Sequence, residues 1–479
     1  MTIRIGGVLM DTLRIPIGNE IPVEMPYLHK DKIRDYLLIY KARGDHKSLL
    51  LDQRAQAIFF ACNGQRTISE VCALLVAQDY EEKEIFFSIL ALEKEQVLNV
   101  YNVERERSYH EIQKEKSFGI WLHVTNACNL RCSYCYIDKD RGNMALSVAE
   151  RTITNVVAQC AKYGITKLAI KFAGGEPLMV WQNIVHVVNF TQKVCDSVEI
   201  TPSFNIVTNG TLITKDIAKY LVENRISCAI SLDGISEVND KQRAYINGRG
   251  SFADVVRGFH ILEAAGGKPF ILVTITDNNI DGLQELTDYL LSQGLSFRYS
   301  LVRDCEQMSV QNLAQSSERY REVLHQCFDR IDAWMFKKNW DFNVKLCDID
   351  IGRSISRACG TGNASAAIAH NGEIALCQMI FDTPIGNVDS DGLVESVRSQ
   401  EIMPELRGRG IDDSTDCGKC IWKNVCAGGC PVFTIKQFGR LNVPSPYCQT
   451  FRSLIPRIVR LQGIKLLCEY TEKGGKVHV

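Results

Sequence analysis

Net charge is almost absent from this sequence: Lys plus Arg number 55 and Asp plus Glu 56, a balance of −1. With so little field of one sign, nothing draws nucleic acid or anionic lipid to the chain as a whole. Long apolar runs are missing too. No stretch of 18 or more apolar residues occurs, and the longest uncharged run, Pro177 to Gln192, is interrupted by Gln, Asn and His, so no transmembrane helix is expected. The apolar stretch after Arg4 stops at Asp11, too short for the apolar centre of a secretory signal. A cytoplasmic protein that meets neither membrane nor nucleic acid is the expectation. Repeats of fixed period and low-complexity tracts are also lacking.

What remains is an ordinary globular composition, 46% apolar and 23% charged over 479 residues, enough for two to four domains at roughly 100–200 residues each. Cysteine is the exception, with 19 residues. In a reducing compartment, clustered cysteines bind metal more often than they form disulfides. Ten fall into spaced groups: Cys128, Cys132 and Cys135, then Cys359, Cys377, Cys417, Cys420, Cys426, Cys430 and Cys448. The other nine (Cys62, Cys72, Cys160, Cys195, Cys228, Cys305, Cys327, Cys347, Cys468) lie mostly in apolar patterns, where a buried thiol acts as a small hydrophobe.

From Gly119 to about Val302 short apolar runs alternate with amphipathic ones, the pattern of βα units on a parallel sheet. Six strands are expected, at Gly119–Val124, Lys167–Phe172, Ser203–Thr208, Ser227–Leu232, Pro269–Ile275 and Ser296–Val302. They suit a partial (β/α)6 TIM barrel whose functional groups gather at the C-terminal strand ends. A helix is expected to start at Ser147, with Glu150 completing a capping box and Ile153, Val156, Val157 and Cys160 on its inner face. Ahead of the barrel, two strands at Tyr36–Ala42 and Ser48–Asp52 precede helices near Arg54–Cys62, Ser69–Gln78 and Glu81–Lys94. An Asn63-Gly64 turn and a Thr67/Glu70 capping box separate them. The expected division is an independent winged-helix-like module over 1–103, a charged linker over 104–116, the barrel over 117–340, and a loop-rich cysteine-dense domain over 341–479 closed by a helix near Phe451–Glu469.

Cys128-x3-Cys132-x2-Cys135 follows the first barrel strand directly. Three thiolates on one short loop can hold three irons of a cubane cluster and leave the fourth open to substrate or cofactor. A structural zinc site is the alternative, but it takes four protein ligands, and no fourth Cys or His follows closely. With Tyr134 before the last cysteine, the loop resembles the signature of the radical S-adenosylmethionine (SAM) superfamily. That resemblance implies a 4Fe-4S cluster whose open iron chelates the amino and carboxylate groups of SAM, and a 5'-deoxyadenosyl radical that abstracts hydrogen from an unactivated C–H bond. Gly174-Gly175-Glu176-Pro177 after the second strand matches the family's GGEP motif, whose backbone and Glu meet the methionine amino group. Asn209 after the third strand, Ser231 after the fourth and Arg243 resemble residues of the ribose and carboxylate side. Ordinary Asn-Gly and Asp-Gly turn chemistry is the alternative for these segments.

The C-terminal spacing, Cys359-x17-Cys377, then Cys417-x2-Cys420-x5-Cys426-x3-Cys430 and Cys448, resembles the SPASM extension of peptide-modifying radical enzymes. The resemblance implies two auxiliary 4Fe-4S clusters, three clusters in all. Cys417, Cys420, Cys426 and Cys448 would hold the outer one; Cys359, Cys377 and Cys430 would hold the inner one, its fourth iron open, substrate-bound or held by Cys347. A zinc ribbon is the alternative for the Cys417–Cys430 group.

The N-terminal module resembles the recognition element of ribosomal-peptide maturation enzymes, which binds a precursor leader as an added strand; a plain structural cap is the alternative. Together the resemblances imply an oxidoreductase that installs an intramolecular carbon–carbon or carbon–sulfur cross-link in a ribosomally made precursor peptide. Flavodoxin or ferredoxin would supply its electrons. The runner-up is an anaerobic sulfatase-maturating enzyme, which forms formylglycine. That family has an Asp after the residue matching Cys377, where this chain has Gln378. A protein that merely carries electrons would need neither the GGEP motif nor the barrel. No catalytic base is assigned; Asp277, Asp304 and Glu306 stand near later strand ends, as does Cys305.

Overall fold

The computed structural model describes residues 19–100, 116–303, 310–337, 342–389, 392–399 and 416–472, with positions 401, 403, 406 and 411. The charged linker, apart from Lys116, and Asp304, Cys305 and Glu306 lie outside the described residues.

In chain order the N-terminal part gives β1 (Val23–Glu24), β2 (Leu28–Ile33), β3 (Tyr36–Lys41), β4 (Ser48–Leu51), α1 (Gln53–Ala61), α2 (Ile68–Val76), α3 (Glu82–Lys94) and β5 (Leu98–Asn99). β2, β3 and β4 form an antiparallel sheet in that order, and β1 pairs with β5. Asp52 caps α1 through Ala55 N at 2.9 Å, and Thr67 and Glu70 form the expected reciprocal box at α2. β2 is an edge strand whose Lys30-Asp31-Lys32 run hides its pattern; charge of this kind protects an edge from unwanted pairing.

β3 is buried at every position because both faces of this sheet are covered. Leu37, Ile39, Leu49 and Leu51 pack against Ile58, Val71 and Ile89 of the three helices. Tyr36, Leu38, Tyr40 and Leu50, on the opposite face, join the main core of the molecule. The module is therefore docked rather than free-standing. Tyr40 OH donates to Ile351 O at 3.2 Å, Arg43 to the carbonyls of Gly418 and Cys420 at 3.3 and 3.1 Å, and Arg460 to Asp31 at 2.8 Å.

The central part runs β6 (Ser117–Thr125), β7 (Leu130–Cys132), α4 (Leu146–Lys162), β8 (Lys167–Gly174), α5 (Trp181–Asp196), β9 (Thr201–Thr208), α6 (Lys215–Glu223), β10 (Ser227–Ser231), α7 (Glu237–Gln242), β11 (Arg243–Tyr245), α8 (Phe252–Ala264), β12 (Phe270–Ile275), α9 (Leu283–Ser292), β13 (Ser296–Leu301) and α10 (Val310–Met335). β6, β8, β9, β10, β12 and β13 are parallel neighbours in chain order, and all six coincide with expected strands. Ile120, Leu122, Ile170, Phe172, Ile206, Ile230, Ile271, Val273 and Phe297 alternate onto the face beneath the helices, each no more than 2% exposed. That burial, repeated every second residue on every strand, fixes the register.

Helix α4 begins otherwise than expected. Its N-cap is Ala145, which makes no side-chain cap bond, and Glu150 pairs with His186 Nε2 of α5 at 2.7 Å. The helix starts one residue before Ser147, so the supposed cap lies inside its first turn. Its inner face is as expected, with Ile153, Val156, Val157 and Cys160 buried.

The C-terminal part extends both edges of the sheet. β14 (Val344–Leu346) lies parallel to β13; β15 (Ser365–Ile368) lies parallel to β6, followed by β16 (Glu373–Ala375) and β17 (Gly386–Asn387). Then come α11 (Leu393–Arg398), α12 (Lys423–Cys426), α13 (Pro431–Phe438) and α14 (Cys448–Glu472), the last packed on α10 and on the N-terminal sheet. Among the described residues no helix is long and apolar enough to cross a membrane. Cys62, Cys160 and Cys228 are packing residues, their thiols pushed up to about 12 by burial.

Candidate active site

The cysteine loop leaves the C-terminal end of β6 and is held against the end of β8 by backbone alone. Gly175 N donates to Thr125 O at 2.7 Å and Glu176 N to Ala127 O at 2.8 Å. These contacts require glycine. A Cβ on Gly175 would stand 2.1 Å from Ala127 O; one on Gly174, whose φ is +134°, would stand 2.3 Å from Thr125 O. β7, inside the loop, pairs antiparallel with β11, setting Cys132 opposite Arg243. Cys128, Cys132 and Cys135 are half-buried and lie within electrostatic reach of one another. Burial pushes the Cys128 and Cys132 thiols up. Cationic neighbours oppose it: Lys139 and a bond from Leu130 N act on Cys128, and Arg243 acts on Cys132. Lys139 Nζ also stands 2.9 Å from Cys135 Sγ. A trio of soft sulfur donors with cations beside them suits iron–sulfur ligation.

Glu176 and Asn209, expected at the cofactor, have their side chains engaged inside the scaffold. Glu176 is fully buried and accepts from Leu178 N at 3.0 Å, Thr208 Oγ1 at 2.7 Å and Asn209 N at 2.7 Å, tying β8 to β9. Burial raises its pKa, and these three donors together with Arg243 oppose the rise. Asn209 donates to Asn129 Oδ1 at 2.8 Å and accepts from Thr211 N and Oγ1. A carboxylate with three internal donors and no exposure is occupied in holding the strand ends together.

Arg243 and Ser231 retain hydrogen-bonding capacity. Asp233, fully buried, accepts from Tyr134 OH at 2.6 Å, Thr274 N at 2.7 Å, Gln242 Nε2 at 3.1 Å and Arg243 Nη1 at 3.3 Å. Arg243 Nη1 also bonds Tyr134 OH, while its Nε is buried without a partner. An orphaned guanidinium N–H at a strand-end mouth fits a ligand carboxylate. Ser231, half-buried at the end of β10, has a hydroxyl with no partner among the described residues. The Asp233 anchor was visible only as part of a Ser-Leu-Asp-Gly turn; its partners Tyr134, Gln242 and Thr274 come from three other segments.

Residues 122–290, from β6 to α9, match the family model of the radical SAM superfamily. The chain carries a radical SAM domain. A cysteine-type anaerobic sulfatase-maturating enzyme of Clostridium novyi is 25% identical over 359 residues, 70% of this chain and 93% of that one. The radical SAM cyclopropyl synthase TigE of Paramaledivibacter caminithermalis is 23% identical over 393 residues, 75% and 80% of the two chains. The solved structure of native anSMEcpe with bound AdoMet and Cp18Cys peptide shares the fold, with a TM-score of 0.58 at 19% identity over 72% of this chain and 98% of that one. The radical SAM domain makes this protein an enzyme of radical-based modification.

Beyond the radical SAM domain, the remaining spaced cysteines separate into two groups. Cys426 feels the charges of Cys417, Cys420 and Cys448, and Cys448 those of Cys417 and Cys420, so these four are gathered together. Cys377 and Cys430 both feel Cys359, forming the other group. Among the described residues no three His, Cys, Asp or Glu side chains are drawn close enough to chelate one ion; the thiols are grouped more openly than the ligands of a single zinc, each about 2.3 Å from its metal. Cys347 stands with different company. Arg303 Nη2 approaches its Sγ at 3.0 Å and both carboxylate oxygens of Asp348 at 2.7 and 2.6 Å. Tyr136, missed by sequence reasoning, is 54% exposed and lies within electrostatic reach of both Cys135 of the loop and Cys377 of the second group. Asp277 is exposed and accepts from Ser316 Oγ of α10 at 2.8 Å, a helix anchor.

Proposed function

We propose that this radical SAM enzyme is a peptide maturase that oxidatively forms an intramolecular carbon–carbon or carbon–sulfur bond in a ribosomally made precursor. The observation that carries this reading is the gathering of seven cysteines into two groups, one of which, through Cys377, lies within electrostatic reach of Tyr136, as Cys135 of the loop does. On this reading residues 341–479 are a SPASM domain, Cys417, Cys420, Cys426 and Cys448 hold the outer auxiliary cluster, and Cys359, Cys377 and Cys430 hold the inner one. Residues 117–340 are the partial barrel, and 1–103 a recognition module, joined through 104–116.

A reduced cluster with SAM supplies one-electron cleavage and the hydrogen-abstracting 5'-deoxyadenosyl radical. Cys128, Cys132 and Cys135 would hold the cluster. The Gly174-Gly175 backbone presents itself to the methionine amino group, Arg243 to the carboxylate through its free Nε, and Ser231 to the ribose side; Glu176 and Asn209 position these groups. Forming the cross-link removes two hydrogens from the peptide, one as an atom and one as a proton; an auxiliary cluster, held by the C-terminal cysteines, would supply the acceptor for the electron left over. TigE, named a radical SAM cyclopropyl synthase, is a similar chain whose name describes ring formation. The sulfatase-maturase reading is favoured by similarity over 70% of the chain. It is disfavoured by Gln378, whose Oε1 lies 3.5 Å from Cys377 Sγ where that family has an Asp.

The test has two stages. Anaerobically reconstituted, reduced protein should cleave SAM to 5'-deoxyadenosine and lose that activity, with one cluster's iron, when Cys128, Cys132 and Cys135 are replaced by Ala. Co-expression with a neighbouring short reading frame should yield a peptide lighter by two hydrogens. A product that loses no hydrogens refutes the oxidative cross-link, and conversion of one Cys or Ser to formylglycine selects the runner-up.

A further inference from the structure

The face of the parallel sheet turned away from the helices carries an unbalanced set of cations. Pairing registers set Trp121 beside Lys171 and Lys171 beside Asn205, and farther round the sheet Leu272 beside Arg298 and Arg298 beside Lys345. Since paired residues of a parallel sheet share a face, these side chains line one side, opposite the apolar row under the helices. A cavity of about 630 Å³ lies along it, with Lys171, Asn205, Ala229, Leu272, Arg298 and Lys345 in its walls. Its lining includes the turns that lead into β10 and β12, so it occupies the N-terminal half of the strands, below the cysteine loop.

One donor of the lining, on Arg298, lacks an acceptor, as does that of Trp121, which lies outside the lining beside Lys171. Arg298 Nε and Trp121 Nε1 are buried with no hydrogen-bond partner, and Lys171 Nζ lies 5.5 Å from the centre of the Trp121 ring. Among the described residues no carboxylate pairs with Lys171, Arg298 or Lys345. Two buried N–H groups left unmade, beside cations that repel one another, are costly unless something anionic completes them. Lys171 and Lys345 are exposed, so water reaches them; desolvation and the Arg298 charge push the Lys171 ammonium down, and Cys347 opposes them.

We propose that this cavity binds a carboxylate of the substrate peptide, an acidic side chain or the C-terminus, and so selects an acidic core sequence. The inference rests on the peptide-maturase reading. Lys171 precedes Gly174 of the mouth by three residues on β8, roughly 10 Å at about 3.3 Å per residue.

Binding decides it without turnover. Full-length reconstituted protein is titrated calorimetrically with acetyl-Gly-Glu-Glu-Gly-amide, with its Gln-Gln counterpart, and with acetyl-tetraglycine as the free acid. The Glu-Glu peptide is expected to bind at least tenfold tighter than the Gln-Gln peptide, less so as salt is raised; binding by tetraglycine acid identifies the C-terminal source. Arg298→Met and Lys171→Met should each remove most of the discrimination, and Lys171→Arg should restore it, with circular dichroism verifying the fold. If a Met variant does not fold, loss of the preference at high salt in the unaltered protein is the substitute readout. Equal affinity for Glu and Gln peptides, or no binding by any of them up to the order of 10 mM, overturns the inference. Absence of SAM cleavage in the same preparation would instead overturn the radical reading and leave the binding result standing.

Discussion

Gly175→Ala tests how the cysteine loop is held. The new methyl would lie 2.1 Å from Ala127 O and 2.6 Å from Ala127 C. Ordinary carbon–oxygen contact needs somewhat over 3 Å, so the loop must retreat by about 1 Å. Retreat weakens the bonds Gly175 N to Thr125 O and Glu176 N to Ala127 O, each worth about 0.5–1.5 kcal/mol net, for a loss of about 1–3 kcal/mol. Because Ala127 immediately precedes Cys128, the same displacement takes one sulfur out of register with the other two. Urea unfolding should show the stability loss, and iron analysis should show one cluster's worth missing. Gly119→Ala is the control, since a Cβ there meets Ser365 Cβ at 3.7 Å, ordinary contact in the same sheet. A Gly175→Ala protein with the stability and iron content of the parent would refute the account of the GGEP glycines as backbone spacers.

Asp233→Asn leaves Arg243 buried without its counter-ion and should cost on the order of 3–5 kcal/mol in denaturant unfolding; a change under 1 kcal/mol would show that Tyr134 and the ligand side carry the guanidinium instead. His123 is held neutral chiefly by burial, with its pKa lowered from 6.5 to about 4. The unfolded chain therefore takes up a proton that the folded one refuses. Stability should be full above pH 6.5 and fall by about 3 kcal/mol as pH drops toward 4, a slope that His123→Gln removes if measured by urea midpoints across that range.

The six parallel strands and the cysteine loop were legible because each is written locally: apolar residues every second position, and Cys128, Cys132 and Cys135 spaced along one loop; the C-terminal groupings came from the resemblance alone. Helix α4 shows the limit. Ser147 and Glu150 have capping-box spacing, but the partner that claimed Glu150 is His186, on another helix. At the candidate site, tertiary structure adds what the Glu176 and Asn209 motifs did not show. Their motif pointed to the mouth, while their hydrogen bonds run between strand ends and hold the scaffold. Tyr136 gave no signal beyond being one more aromatic beside a cysteine; its reach to both Cys135 and Cys377 depends on segments some 240 residues apart.

The amino-acid order alone determined the sheet, its buried face and the Cys128–Cys132–Cys135 loop after the first strand, since periodicity and short-range spacing are properties of neighbouring residues. Tertiary structure decided which charges are left without counter-charges. Lys171, Arg298 and Lys345 are unremarkable lysines and arginine in the sequence, and only the closing of strands β8, β13 and β14 into one sheet brings them to a shared cavity with no carboxylate to answer them among the described residues. Electrostatic balance is a sum over distances in space, and distance along the chain does not contain it.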